Sequence, residues 1–131
     1  MPEKNRAVEL HDTKLQAIEQ VDGATVLRLE VYLHVSDGRP AEDPGTGWTQ
    51  EAKLTVVDGV VESAPESGAM WVLDGCIEVG ETPFDNLVPM PFEHKGAVSV
   101  RFEGAEGLLL VKGRGVSLTL LGEPEFVEEV R

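Results

Sequence analysis

The residues of this sequence that could do chemistry are three histidines, one cysteine and a large surplus of carboxylates. His11 stands directly before Asp12, and a histidine beside an aspartate can ligate a divalent metal. Metal-dependent enzymes built on that pair need several further His and Asp residues presented from helices. Here the remaining histidines are His34 and His94, and little of the chain has a helical period. The plainer expectation is a turn or strand-start pair, with Asp12 bonding nearby backbone amides. Three histidines can also hold zinc with an open fourth position. His11, His34 and His94 are far apart in sequence, however, and His34 falls on the polar side of its strand pattern. They are expected to be ordinary surface histidines titrating near neutral pH, with no metal and no cofactor.

Cys76 is the only thiol, and it follows Asp74-Gly75 in an acidic chain. A neighbouring carboxylate raises a thiol pKa, the wrong direction for a nucleophile, so a buried core cysteine is expected. No Gly-x-Ser-x-Gly elbow is present. Lys112-Gly-Arg-Gly115 lacks the Gly-Lys-Ser/Thr ending of a phosphate loop. The acids Asp37, Glu42 and Asp43 lack calcium-loop spacing. Paired carboxylates of the glycosidase kind cannot be singled out among so many acids, so no catalytic residue is assigned. Among the aromatics, Trp48, Trp71, Tyr32 and Phe84 are the candidates for a loop rim or an interface, where a ring can stack on a ligand or a partner. A core role is the ordinary reading for each Trp. Trp48, Trp71, Tyr32, His11 and Asp12 are the candidate binding residues.

Those side chains must be positioned by strands. At 131 residues the chain fits a single β domain spanning 1–131. Its hydrophobic content of 41% suffices for one core, while aromatics are only 5%, so Val and Leu must fill it. From Val26 to Val35 the pattern alternates: Leu27, Leu29, Val31, Leu33 and Val35 share one face, and Arg28, Glu30, Tyr32 and His34 the other. That period predicts a half-buried antiparallel strand. Asp22-Gly23 reads as the turn of a hairpin whose first strand is Leu15–Gln20, with a short amphipathic helix as the competing reading.

Ser36–Gly47, with three glycines and two prolines, is expected to be a long loop, either a mobile functional one or a tolerated insertion, with Trp48 pinning its end to the core. Ala52–Val57 alternates again, breaks at Asp58-Gly59 and resumes at Val60-Val61-Glu62. Another loop is read at Pro65–Gly68. Met70–Val79 reads as strand interrupted by a turn pair at Asp74-Gly75, and Gly80–Pro91, with three prolines, as irregular. Further on, Val98, Val100 and Phe102 alternate, Glu103–Gly107 is a turn, Leu108 and Leu110 continue an apolar face, and Val116, Leu118 and Leu120 form another. Lys112–Gly115 is either a hairpin turn or a glycine bulge within one long strand. The expected fold is all-β, an antiparallel sandwich or partly closed barrel of about seven to nine short strands.

Charge bounds the partners. Twenty-four acids against 11 bases give a net charge of −13. Such a field repels nucleic acid and anionic membrane and favours solubility and basic partners. The bases are scattered singly along the chain, whereas nucleic-acid binding needs them clustered. A lone cysteine agrees with a reducing compartment. The N-terminal Met-Pro-Glu-Lys-Asn-Arg lacks the apolar run of a signal peptide, and no stretch reaches membrane-spanning length. A cytoplasmic location is expected.

The run His11-Asp-Thr-Lys-Leu15-Gln-Ala-Ile18, followed after a turn by Leu27-Arg-Leu29, resembles a loose group of small bacterial β-proteins with an N-terminal His-Asp-x-x-Leu-x-x-Ile motif. The ending Leu120-Leu-Gly-Glu-Pro-Glu-Phe-Val-Glu-Glu129 is similar to the terminus of some of them. Most members are uncharacterised and some are labelled immunity proteins of toxin systems. The resemblance implies a bacterial, single-domain, non-enzymatic protein and transfers no catalytic residue. Combined with the charge, it leads to an interaction or assembly module with an acidic surface, binding a basic protein partner or forming a homodimer through sheet edges. A binder of a small apolar ligand, near Trp48 and the 80–91 loop, is the alternative. A hydrolase or isomerase using scattered carboxylates and His11 is the third reading, and it requires a pocket in which a histidine faces two acids.

Overall fold

The structure, a computed structural model, describes residues 5–131. Residues 1–4, the first of those read above for a leader peptide, lie outside the described residues. Ten antiparallel strands make one sheet: β1 (Asn5–Val21), β2 (Ala24–Ser36), β3 (Gly45–Val57), β4 (Val60–Ser63), β5 (Met70–Trp71), β6 (Asp74–Val79), β7 (Thr82–Asp85), β8 (Leu87–Pro89), β9 (Phe92–Gly104) and β10 (Gly107–Val130). The order is β5-β1-β2-β3-β10-β9-β6-β7, with β4 also on β10 and β8 also on β1. The sheet curls into a half-barrel, so the barrel reading holds rather than two stacked sheets. No helix among the described residues is long and apolar enough to cross a membrane.

Alternation explains the curl. Leu27, Leu29, Val31 and Leu33 of β2 are buried beside Leu54 and Val56 of β3, Val98, Val100 and Phe102 of β9, and Leu109 and Val111 of β10. A sheet with one apolar face must roll or stack to hide it, and here it rolls around a single cluster that includes Leu10, Leu15 and Ile77. The β1–β2 hairpin turns at Asp22-Gly23 with φ of 48° and 83°, the two positive values that suit the twist of a two-residue turn.

Register shifts interrupt the ladders at several places, and two of them bear on the sites described below. In β1 the register against β2 jumps from Glu9↔Tyr32 to Lys14↔Glu30, so residues 10–13 bulge out of the ladder. Freed there, the Leu10 amide donates to the Asn86 carbonyl and the Thr13 carbonyl accepts from Val72. The bulge is therefore where β1 changes partner and the rolled sheet is drawn together. The second lies opposite, at the other side of the barrel. β3 and β4 both pair with β10 and are one strand broken at Asp58-Gly59, while β10 shifts register between Gly113 and Gly115. Lys112–Gly115 is thus no hairpin turn but part of one long strand, and the extra residue of the shift lies in β9, where three steps from Val98 to Lys95 match two from Gly113 to Gly115.

Several expectations change. Five strands run for 13 residues or more, and the total is ten. β1 begins at Asn5, well before Leu15. Asp74-Gly75 opens β6 instead of turning, because both residues pair with β9. The segment 80–91 is not irregular throughout: it holds β7 and β8, with Pro83 and Pro89 standing in short edge strands where the missing N–H is harmless. Leu108 and Leu110 lie on the outer side, and Leu109 and Val111 supply the buried face. The tail 123–129 is the end of β10, paired to β3 through Glu125↔Thr49 and Phe126↔Trp48.

Candidate acidic outer face

The sheet formed by β1, β2, β3 and β10 turns its polar side outward. Register places Glu9 opposite Tyr32, Tyr32 opposite Thr49, and Thr49 opposite Glu125. One step along, His34 faces Gly47, and Gly47 faces Glu128. One step the other way, Glu30 faces Glu51. Carboxylates from four strands therefore converge on one face, although they are spread from residue 9 to residue 128.

The bulge of β1 projects His11 and Asp12 onto this face. His11 Nε2 lies 3.7 Å from Glu9 Oε1 and 3.6 Å from Asp12 Oδ2. Asp12 thus meets the neighbouring imidazole, where backbone amides were expected. Burial pushes the Glu9 carboxyl above the usual carboxylate range, and the adjacent His11 counters part of that rise. Burial also raises the Tyr32 phenol, with further upward pushes from Glu128, Glu9 and Asp12. Tyr32, His11 and Asp12, three of the candidate binding residues, are consequently neighbours.

His34 departs from its expected place. It is buried, because the loop 37–44 folds back over it: the Ala41 amide donates to His34 Nδ1. The imidazole Nε2 is buried without a hydrogen-bond partner. The loop satisfies itself otherwise. Ser36 Oγ donates to the Pro44 carbonyl at 2.8 Å and accepts from the Gly38 amide at 3.1 Å, and Asn5 Nδ2 reaches the Gly38 carbonyl at 2.6 Å. The long loop is therefore a packed cover.

Trp48 is not on this face, whereas Trp71 stands at its margin, in register with Lys14, which is itself opposite Glu30. Trp48 points to the inner side, half-buried, with its ring edge-on to Phe126 at 5.3 Å and its Nε1 donating to Thr46 Oγ1. It pins the end of β10 more than the loop. Trp71 is 53% exposed on β5, with the Lys14 ammonium 5.2 Å from its ring centre.

Glu30 and Glu51 were not distinguished in the sequence. They border a hollow of about 140 Å³ that also takes Glu123 and Glu125. Like charges directly opposed across strands are destabilising. Lys53, two residues on from Glu51 on the same side of β3, pairs with no carboxylate among the described residues, and two further bases are engaged elsewhere. Lys14 is in register with Glu30, yet it lies over Trp71; Arg28 Nε bonds Glu19 Oε1 at 2.9 Å. Neither Glu30 nor Glu51 forms an ion pair among the described residues. Glu51 accepts one long bond from Gln16 at 3.4 Å.

What can this face do? His11 between two carboxylates could shuttle a proton, which meets half of the requirement set for a hydrolase. The other half is a pocket, and the imidazole stands 40% exposed on a convex sheet face. Among the described residues, no group of His, Cys, Asp and Glu is arranged to hold a metal ion. Cys76 lies half-buried on the outer side of β6 rather than in the core, and burial together with a hydrogen bond to Asp85 pushes its thiol up to about 11. Trp48 packs against the buried core cluster from its partly buried position. A groove of about 700 Å³ runs outside, between Arg6, Pro40 and Met90. No protein-family model, no curated protein and no solved structure matches the chain.

Proposed function

We propose that the protein is a non-catalytic binding module whose acidic outer face captures a basic protein partner. The observation that carries this reading is the opposed pair Glu30 and Glu51 in one hollow with Glu123 and Glu125. A protein gains nothing for its own stability from four clustered carboxylates, none of which forms an ion pair among the described residues. A lysine- or arginine-bearing partner would relieve that repulsion on binding and be steered to the face by the net charge of −13.

Edge pairing between two copies has less to work with. The strands at the two ends of the order, β5 and β7, are two and four residues long, β8 beside β1 is three, and β7 and β8 carry Pro83 and Pro89, which cannot donate to a ladder. A homodimer would have to use faces.

The test is calorimetric titration with a lysine-rich peptide at two salt concentrations. Any strongly acidic protein binds such a peptide weakly, so position must be separated from net charge. The variant Glu30→Gln/Glu51→Gln is compared with Glu78→Gln/Glu81→Gln, which removes the same charge elsewhere. The reading expects at least about a tenfold loss of affinity in the first variant and little change in the second. Equal losses would overturn it.

A further inference from the structure

The same outer surface carries a second site of opposite sign, at the far end of β9 and β10. Lys95 and Arg114 line one hollow of about 430 Å³ with His94, Ser117, Glu93 and Val57. They are nineteen positions apart in sequence, and the fold unites them through paired distortions. β10 shifts register between Gly113 and Gly115, and Gly115 then faces Lys95. Gly96, with φ of 104°, lies on the partner strand within that shift. Bulges re-aim side chains, and here Gly96 and Ala97 of β9 stand opposite the single residue Arg114 of β10, which is exposed and lines the same hollow as Lys95.

The chain holds more than two acids for every base. Even so, neither Lys95 nor Arg114 has a carboxylate within 4.0 Å among the described residues, and Glu93 lines the hollow without pairing to either. Two unpaired cations in one concavity repel each other unless an anion lies between them. The remaining lining suits one. The hydroxyl of Ser117 can donate to an acceptor oxygen. The His94 ring is held in place by Phe92 at 4.8 Å and Phe84 at 5.7 Å, so the wall beside the cations is a packed aromatic one.

We infer that the hollow at Lys95, Arg114 and Ser117 binds an oxyanion, a phosphate monoester or a carboxylate. The guanidinium of Arg114 offers a planar fork to two oxygens, the ammonium of Lys95 a point charge, and the hydroxyl a third donor. The site is separate from the Glu30–Glu51 hollow and does not depend on the reading given for it.

Amide and imidazole resonances are followed by NMR while the full-length protein is titrated with inorganic phosphate or with acetate, against chloride at constant ionic strength. Saturable shifts at Lys95, Arg114 and Ser117 are expected. Saturation by phosphate alone identifies a phosphate monoester as the ligand class, and saturation by acetate a carboxylate. Lys95→Gln and Arg114→Gln, each at an exposed position, are expected to weaken binding at least about tenfold while leaving the rest of the spectrum in place. Shifts no larger than those from chloride, or binding that survives in both variants, would overturn the inference.

Discussion

Tyr32 lies across Gly47: a Cβ built on that glycine would collide with the phenol oxygen. The strand neighbour of Tyr32 in register is Thr49, so the ring leans one step along β3 to the position where no side chain stands. Gly45 does the same for His34, whose Nε2 would be 2.9 Å from a Cβ there. Gly45 and Gly47 therefore have a steric role in strand β3, and both aromatic rings of the outer face depend on them.

Gly47→Ala should force Tyr32 off its present rotamer. Overpacking of this kind costs about 1–3 kcal/mol. Urea unfolding of Gly47→Ala is expected to show that loss, and the double variant Tyr32→Phe/Gly47→Ala should recover part of it. An unchanged midpoint would show that the ring moves freely.

Tyr32 is the single tyrosine, so its ionisation can be followed by ultraviolet absorbance alone. Burial is the main reason its phenol is raised, and Glu128 is the first of the charges that add to it. Glu128→Gln is thus expected to lower the pKa without returning it to the value of a free phenol. A raised acid pKa means that the fold favours the protonated form. That contribution is in place at neutral pH and is lost as alkali carries the solution through the raised pKa. Stability should fall in that window, and Tyr32→Phe should abolish this part of the fall.

Asn86 ties the two sides of the roll. Its Oδ1 accepts from the Gly75 amide and its Nδ2 donates to Asp74 Oδ1, both at 2.7 Å, while its own backbone receives Leu10 and donates to Gly75. It does so at φ 57°, a conformation that costs Ala more than Asn. Asn86→Ala loses both side-chain bonds and adds strain, and should cost about 2–4 kcal/mol. Asn86→Gly relieves the strain alone and should cost less, so thermal unfolding of the pair separates the two contributions.

Cys76 should be slow to alkylate at neutral pH, since its thiol is pushed up to about 11. Asp85→Asn removes a charge and alters the hydrogen bond that help hold it there, and should speed the reaction with iodoacetamide several-fold at pH 8. As the only cysteine it gives an unambiguous mass shift. A rate already equal to that of the urea-unfolded chain would show that the thiol is not protected.

Relieving the opposed carboxylates should also be visible without any partner. Glu30→Gln/Glu51→Gln is expected to raise stability by about 0.2–1 kcal/mol in low salt, with the gain shrinking as salt screens the original repulsion. A loss of stability would mean that the two glutamates are held by interactions with the fold.

Much of the fold could be read from local pattern. The alternation from Val26 to Val35 specifies a strand with one dry face, because side chains on a pleated strand point alternately to its two sides. Asp22-Gly23 specifies a tight hairpin because both residues accept positive φ. The net charge of −13 specifies an acidic surface, since carboxylates cannot be buried without partners. Other features lay beyond local pattern. That His34 is buried while Arg28 and Glu30 are not depends on the loop 37–44 folding back over the end of β2. That β7 and β8 form among prolines depends on edges that need only one side paired. Glu30 met Glu51, and Lys95 met Arg114, through register and bulges, which are set by long-range pairing between strands. Period two tells each residue which side of its own strand it occupies; only the rolled sheet decides which residue of another strand stands beside it, and the chemistry of both outer hollows lies in that choice of neighbour.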